Sequence, residues 1–163
     1  MSIAATLLID DDVGFSTSTK HLFHERGIAL DWAQSWDEGL GLFRVGLHEL
    51  VIADYNLPGS SHGLRLLAKI KPLRPSSKLI LISGALTSRA AKIVKETTLV
   101  DDYLEKTASL PDTLVELAQK AAGRAQESTD WPAAAGAYLA GSTVYEDDIK
   151  RIDAALQGEI SQA

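Results

Sequence analysis

The 163-residue sequence has no cysteine, which excludes disulfides and thiolate metal sites. It has no apolar run of the length needed to span a bilayer. Its first residues show neither a basic stretch nor a long apolar core, so no secretory leader is read there and a cytoplasmic location is expected. Positive charge is scarce, with 16 Lys and Arg against 22 Asp and Glu for a net −6. Residues 1–123 hold 13 basic and 15 acidic residues, and residues 124–163 hold 3 and 7. Neither part shows the basic footprint of a nucleic-acid binder, and the acidic C-terminal part disfavours nucleic acid or an anionic membrane as a direct partner. Hydrophobic residues make up 45% and charged residues 23%, a globular composition with enough chain to bury a full core.

What is present is a set of short apolar runs that each end on a polar residue. Asp10-Asp11-Asp12 closes Leu7-Leu8-Ile9, Asp54 closes Leu50 to Ala53, Ser83 closes Lys78 to Ile82, and Lys106 follows Tyr103-Leu104-Glu105. Such runs read as buried parallel strands, whose C-terminal ends are where open α/β sheets bind ligands.

Helical patterns separate the runs. Residues 5–10 read as a first strand. A helix from Val13 to Arg26 follows, with Phe15, Leu22 and Phe23 on its apolar side and Gly27 at its stop. Residues 28–33 read as a second strand, and Ser35 with Glu38 forms a capping box before Trp36, Leu40, Phe43 and Leu47. After the third strand, Leu50 to Asp54, Asn56-Leu57-Pro58-Gly59 is a loop, and Leu64, Leu67 and Ile70 mark a helix that ends before Pro72. Lys78 to Ser83 is the fourth strand, and Thr87 can cap a helix bearing Ala90, Ile93 and Val94. Val100 to Leu104 is the fifth strand. Thr107 or Ser109 caps a last helix with Leu114, Leu117 and Ala121 on one face. Five alternations of strand and helix predict an α/β parallel sheet covered on both faces.

After Gly123 the composition shifts. We divide the chain into a domain over residues 1–123 and a tail over 124–163. The tail opens with a linker rich in Ala, Ser, Thr and Gly, in which Trp131 stands out as an anchor for the tail. Ile149, Ile152, Leu156 and Ile160 then fall at helical spacing, predicting an amphipathic helix over Val144 to Glu159. That stripe must bury against its own domain, a second copy or another partner.

Taken singly, each strand-end residue has a structural explanation as a cap or an edge charge. Together they suggest chemistry. Clustered Asp10, Asp11 and Asp12 repel one another, a conflict that a hard divalent cation such as Mg²⁺ resolves. A carboxylate such as Asp54 can accept a phosphoryl group. Ser83 can donate a hydrogen bond to one phosphoryl oxygen, Lys106 can neutralise another, and the small Gly84 and Ala85 leave room.

Residues 5–122 resemble the response-regulator receiver domain of two-component signalling in bacteria. The resemblance is carried by Leu7 to Asp12, by Val51 to Gly59 with Gly63, by Leu81-Ile82-Ser83-Gly84, and by Asp102-Tyr103-Leu104-Glu105-Lys106. It implies a CheY-like, flavodoxin-like (βα)5 doubly wound sheet of order 2-1-3-4-5, here with a short C-terminal helical extension. It implies that Asp54 takes phosphate from a histidine kinase or phosphotransfer protein, and that Asp10, Asp11, Asp54 and the Asn56 carbonyl hold Mg²⁺. Ser83 and Lys106 would bind the phosphoryl oxygens, and Ser83 with Tyr103 would form the switch. The domain would then signal through a downstream protein or a homodimer, assisting its own phosphorylation and dephosphorylation rather than acting as an enzyme on other substrates. The sequence departs from the family in having Thr107 where proline usually follows the lysine, which predicts a trans bond there.

Two other functions are weighed. A pseudo-receiver would keep the fold as a constitutive interaction or dimerisation module without phosphorylation. An aspartyl-phosphate phosphatase needs a second acid two residues after the nucleophile, where this chain has Asn56. His21 and His24 are read as surface residues, His48 and His62 form no metal spacing, and Trp32 and Trp36 are read as packing residues.

Overall fold

The computed structural model describes residues 5–57, 63–84, 88–124 and 146–160. Five strands, β1 (Thr6–Ile9), β2 (Leu30–Ala33), β3 (Leu50–Asp54), β4 (Lys78–Ser83) and β5 (Asp102–Glu105), pair in parallel in the order β2-β1-β3-β4-β5. Six helices accompany them among the described residues: α1 (Val13–Glu25), α2 (Trp36–Gly46), α3 (Gly63–Ile70), α4 (Ser88–Glu96), α5 (Leu110–Arg124) and α6 (Glu146–Ile160). This is the expected doubly wound topology. The order reverses between β1 and β3, so the crevice beyond their C-terminal ends is the natural ligand site.

The two-residue period of the strands sorts the core into two layers. Leu8, Ile52, Ile80 and Ile82 face α1 and α5, where Phe23, Leu110, Leu114 and Ala118 complete one cluster. Leu7, Ile9, Val51, Ala53, Leu79 and Leu81 face the other way, onto Phe43 of α2, Leu64, Leu67 and Ile70 of α3, and Ala90 and Val94 of α4. Ile149, Ile152 and Ala155 of α6 belong to that second cluster and are buried.

Local chemistry sets most element ends. Asp12 caps α1 by accepting from the Phe15 amide at 3.1 Å. Ser35 caps α2, while Glu38 reaches the Gln34 amide at 3.3 Å, one residue upstream of the expected capping-box partner. Leu47, with φ 46°, ends α2 in the left-handed region. β5 starts two residues later than its apolar pattern suggests. The reason is that Asp101 accepts from the Leu79 amide at 2.7 Å through its carboxylate before strand pairing begins. Thr87 and Trp131 lie outside the described residues, as do the side chains of Leu156 and Ile160.

Of the three settings expected for the tail helix, the chain adopts docking onto its own fold. α6 packs on α4. A lone helix of this length is marginal in water. Each fully buried isoleucine contributes about 1.5–3 kcal/mol toward holding it.

At the opposite end of the sheet from the strand C-termini lies a buried polar cluster. His48, 1% exposed, places Nε2 2.7 Å from Asp31 Oδ2 and stacks on Phe43, and Ser77 Oγ donates to the His48 carbonyl at 2.7 Å. Arg74 pairs with Glu49 and donates to the Leu47 carbonyl. Burial pulls the His48 pKa below its ordinary value, Asp31 opposes, and the Arg74 charge adds to the lowering. Because the native pKa is depressed, the unfolded chain takes up this proton first as pH falls below 6.5. His48 therefore costs nothing above that pH and removes stability below it. Urea midpoints from pH 7.5 down to 5.5 are expected to fall more steeply for the wild type than for His48→Gln, by at most about 1.4 kcal/mol per pH unit.

Candidate functional site

The four polar strand ends meet at one edge of the sheet. Asp10 directly follows β1 and is fully buried, its amide donating to the Ala33 carbonyl at 2.9 Å and its Oδ1 accepting from the Asp12 amide at 2.9 Å. That turn throws Asp11 and Asp12 outward, and both are exposed. Asp54 is the last residue of β3 and 6% exposed, and its Oδ1 accepts from the Asn56 amide at 3.4 Å. Ser83 ends β4 and is buried.

Lys106 closes the group. Its Nζ lies 2.7 Å from Asp10 Oδ2, 3.3 Å from Asp54 Oδ2 and 3.8 Å from Asp12 Oδ2. The loop after β5 holds it in place. The Lys106 amide donates to the Ser83 carbonyl at 2.8 Å and the Thr107 amide to the Glu105 carbonyl at 2.9 Å. The Lys106–Thr107 bond is trans, as expected without proline, and the ammonium still reaches both carboxylates.

Electrostatics follow from crowding. Burial raises the Asp54 pKa to about 6, the Asp10 charge adds to the rise, and Lys106 opposes it. Burial alone would lower Lys106, but the contacts to Asp10 and Asp54 outweigh it and the net shift is upward. One ammonium thus serves two buried carboxylates. Carboxylate oxygens of Asp10, Asp11 and Asp54 all lie within 4.8 Å of one another. A donor set of oxygens alone, with excess negative charge, fits a hard divalent cation.

Sequence reasoning placed Asp10, Asp11, Asp54, Ser83 and Lys106 at the strand ends where they stand. It read Phe15 and Trp32 only as packing residues and missed their part in the site. The Phe15 ring lies 5.0 Å below the Lys106 ammonium, and the Trp32 indole donates to the Asp10 carbonyl at 2.9 Å. Phe15 sits three residues after the capping Asp12, a spacing that aims it back over the helix start. Tyr103 is buried, in the cluster that also contains α3, α4 and α6 residues. Gly63, the first residue of α3, packs so tightly that a Cβ there would overlap the Asp54 carbonyl oxygen. Asn56 is exposed.

A doubly wound parallel sheet with this acidic crevice and an opposed lysine is the architecture of phosphoacceptor signalling domains. The family model of the response regulator receiver domain matches residues 6–119, and the chain belongs to that family. It is 29% identical over 121 residues to the acid tolerance regulatory protein ActR of Sinorhizobium medicae (strain WSM419), over 74% of this chain and 61% of ActR. The chain thus spans about three fifths of that curated relative's length. It also superposes on a CheY-like receiver domain protein from Methanospirillum hungatei JF-1 with a TM-score of 0.64 and 27% identity, covering 78% of this chain and 100% of the other. A response regulator from Burkholderia pseudomallei gives a TM-score of 0.59 at 28% identity, covering 76% and 74% of the two chains. That structure holds a phosphorylated aspartic acid, a calcium ion and citrate.

Proposed function

We propose that this chain accepts a phosphoryl group on Asp54 from the phosphohistidine of a sensor kinase or phosphotransfer protein, and passes the signal to a downstream protein. The observation that supports this best is the buried Asp54 carboxylate, within reach of both Lys106 and the Asp10–Asp11 pair. In the transfer, an Asp54 carboxylate oxygen bonds to phosphorus as the P–N bond breaks, and the departing imidazole nitrogen picks up a proton. Lys106 balances charge on the phosphoryl oxygens in the transition state, and Ser83 donates to one of them. Asp10, Asp11 and Asp54 with the Asn56 carbonyl are the residues to hold Mg²⁺, which when bound offsets the carboxylate repulsion and the phosphoryl charge. Ser83, drawn toward the acquired phosphoryl, and Tyr103 in the adjacent strand form the switch.

The chain is expected to become labelled by a small-molecule phosphodonor in a Mg²⁺-dependent manner, and Asp54→Ala should abolish the label. Intact-mass spectrometry reads it directly. Equal labelling of the variant would overturn the assignment, and an unlabelled wild type that also fails to bind beryllofluoride would make the chain a constitutive interaction module instead.

A further inference from the structure

Residue 55, directly after the proposed phosphoacceptor, holds the C-terminal helix. The buried Tyr55 donates its hydroxyl to Asp153 Oδ1 at 2.8 Å, across 98 residues of sequence. The rest of the α6 footprint rests on parts that adjoin the same site. α6 packs on α4, which begins five residues after Ser83. Ile149, Ile152 and Ala155 share one apolar cluster with Tyr55, Tyr103, Ala90 and Val94. Arg65 of α3 reaches Glu146 at 3.3 Å, and α3 starts at Gly63, against the Asp54 carbonyl. Arg151 pairs with Glu96 of α4 at 2.7 Å. Charge supports the docking as well. α3 and α4 together carry Arg65, Lys69, Arg89, Lys92 and Lys95 against Glu96, whereas α6 carries five acids against Lys150 and Arg151.

We propose that α6 is a latch on the unphosphorylated state, coupled to Asp54 through Tyr55 and α4, and that phosphorylation releases it. The proposal rests on Asp54 being the phosphoacceptor. The physical argument is linkage. α6 fits Tyr55, Tyr103 and α4 in the arrangement in which Lys106 pairs with the Asp54 carboxylate itself. A phosphoryl group on Asp54 draws Ser83 inward and so shifts the start of α4, and it loads the strand end that positions Tyr55. The misfit reaches the α6 interface, because the side chains of Tyr55, Tyr103, Ala90 and Val94 share their apolar cluster with Ile149, Ile152 and Ala155 of α6. Coupling of this kind is reciprocal. If phosphorylation weakens α6 docking, α6 docking resists phosphorylation by the same factor.

The test uses the full chain. Hydrogen exchange of residues 146–160 is followed by mass spectrometry with and without Mg²⁺ and beryllofluoride, while fluorine NMR reports separately whether the mimic is bound. The expected result is a bound-fluoride signal with about tenfold faster exchange in 146–160, and a smaller response in Tyr55→Phe. Ile152→Asp, which undocks α6 from a distance, should bind beryllofluoride several-fold more tightly in a fluorine NMR titration. Protected β3 amides would show that the variant's sheet is intact, and Asp153→Asn gives a milder second release. A bound mimic with unchanged exchange in 146–160 overturns the latch while leaving the phosphoacceptor reading intact. Undocked α6 with unchanged beryllofluoride affinity also overturns it. Absence of any bound-fluoride signal removes the phosphoacceptor reading and the latch with it.

Discussion

Lys106→Met is expected to slow labelling of Asp54 by on the order of 100-fold, with a far-ultraviolet circular dichroism spectrum matching the wild type. Methionine keeps an apolar stem of nearly the same length and removes the ammonium, together with its contact over the Phe15 ring. Lys106 is the cation that the described structure sets against both Asp10 and Asp54. Without it, the transferring phosphoryl loses a charge-assisted partner that needs no reorganisation during the reaction. The variant should also lose about 3–5 kcal/mol of stability when divalent cations are chelated, because two buried carboxylates are left facing each other. Urea titration in a chelating buffer measures that loss. A wild-type labelling rate would show that Lys106 serves the fold rather than the transfer.

Arg74→Ala is expected to be the most destabilising single change at the other end of the sheet, by about 3–5 kcal/mol in urea unfolding near neutral pH. Glu49 is 6% exposed and Arg74 is its ion-pair partner. The same guanidinium donates to the carbonyl of Leu47, the left-handed residue that ends α2. Truncation therefore strands a buried carboxylate and frees a helix end together. The double variant Arg74→Leu with Glu49→Gln should recover a good part of the loss, since removing both charges leaves no unpaired ion. If the double variant were as unstable as the single one, the cost would lie in the Leu47 contact and not in the stranded charge. The cluster lies far from the phosphoacceptor edge, so labelling of Asp54 in the folded fraction should be unchanged.

The three central strands β1, β3 and β4 were legible because each is a largely apolar run buried on both faces of a parallel sheet. Leu50 to Asp54 and Lys78 to Ser83 appear with the boundaries that their patterns suggest. The site was legible for a related reason. A polar residue that ends a buried run has few places to go except the sheet edge. Less legible were features decided across space. The delayed start of β5 depends on the Asp101 carboxylate taking a hydrogen bond from β4, which no local pattern encodes. His48 gave no metal spacing, and it offered no local sign that it would be buried against Asp31 and Phe43. Tyr55 shares a face with Val51 and Ala53 in the structure. Its partner Asp153 lies 98 residues away, beyond any periodicity. The amphipathic stripe of the tail announced that it must bury, and its spacing could not say against what.

The tight approach of Gly63 to the Asp54 carbonyl has a consequence for how this chain can vary. The start of α3 lies directly against the end of β3, and the Gly63 amide donates to the Tyr55 carbonyl at 3.1 Å. A single methyl at residue 63 has no room against the Asp54 carbonyl oxygen. Any side chain there must push α3 and the acceptor strand apart, so the spacing between the two is set at one glycine.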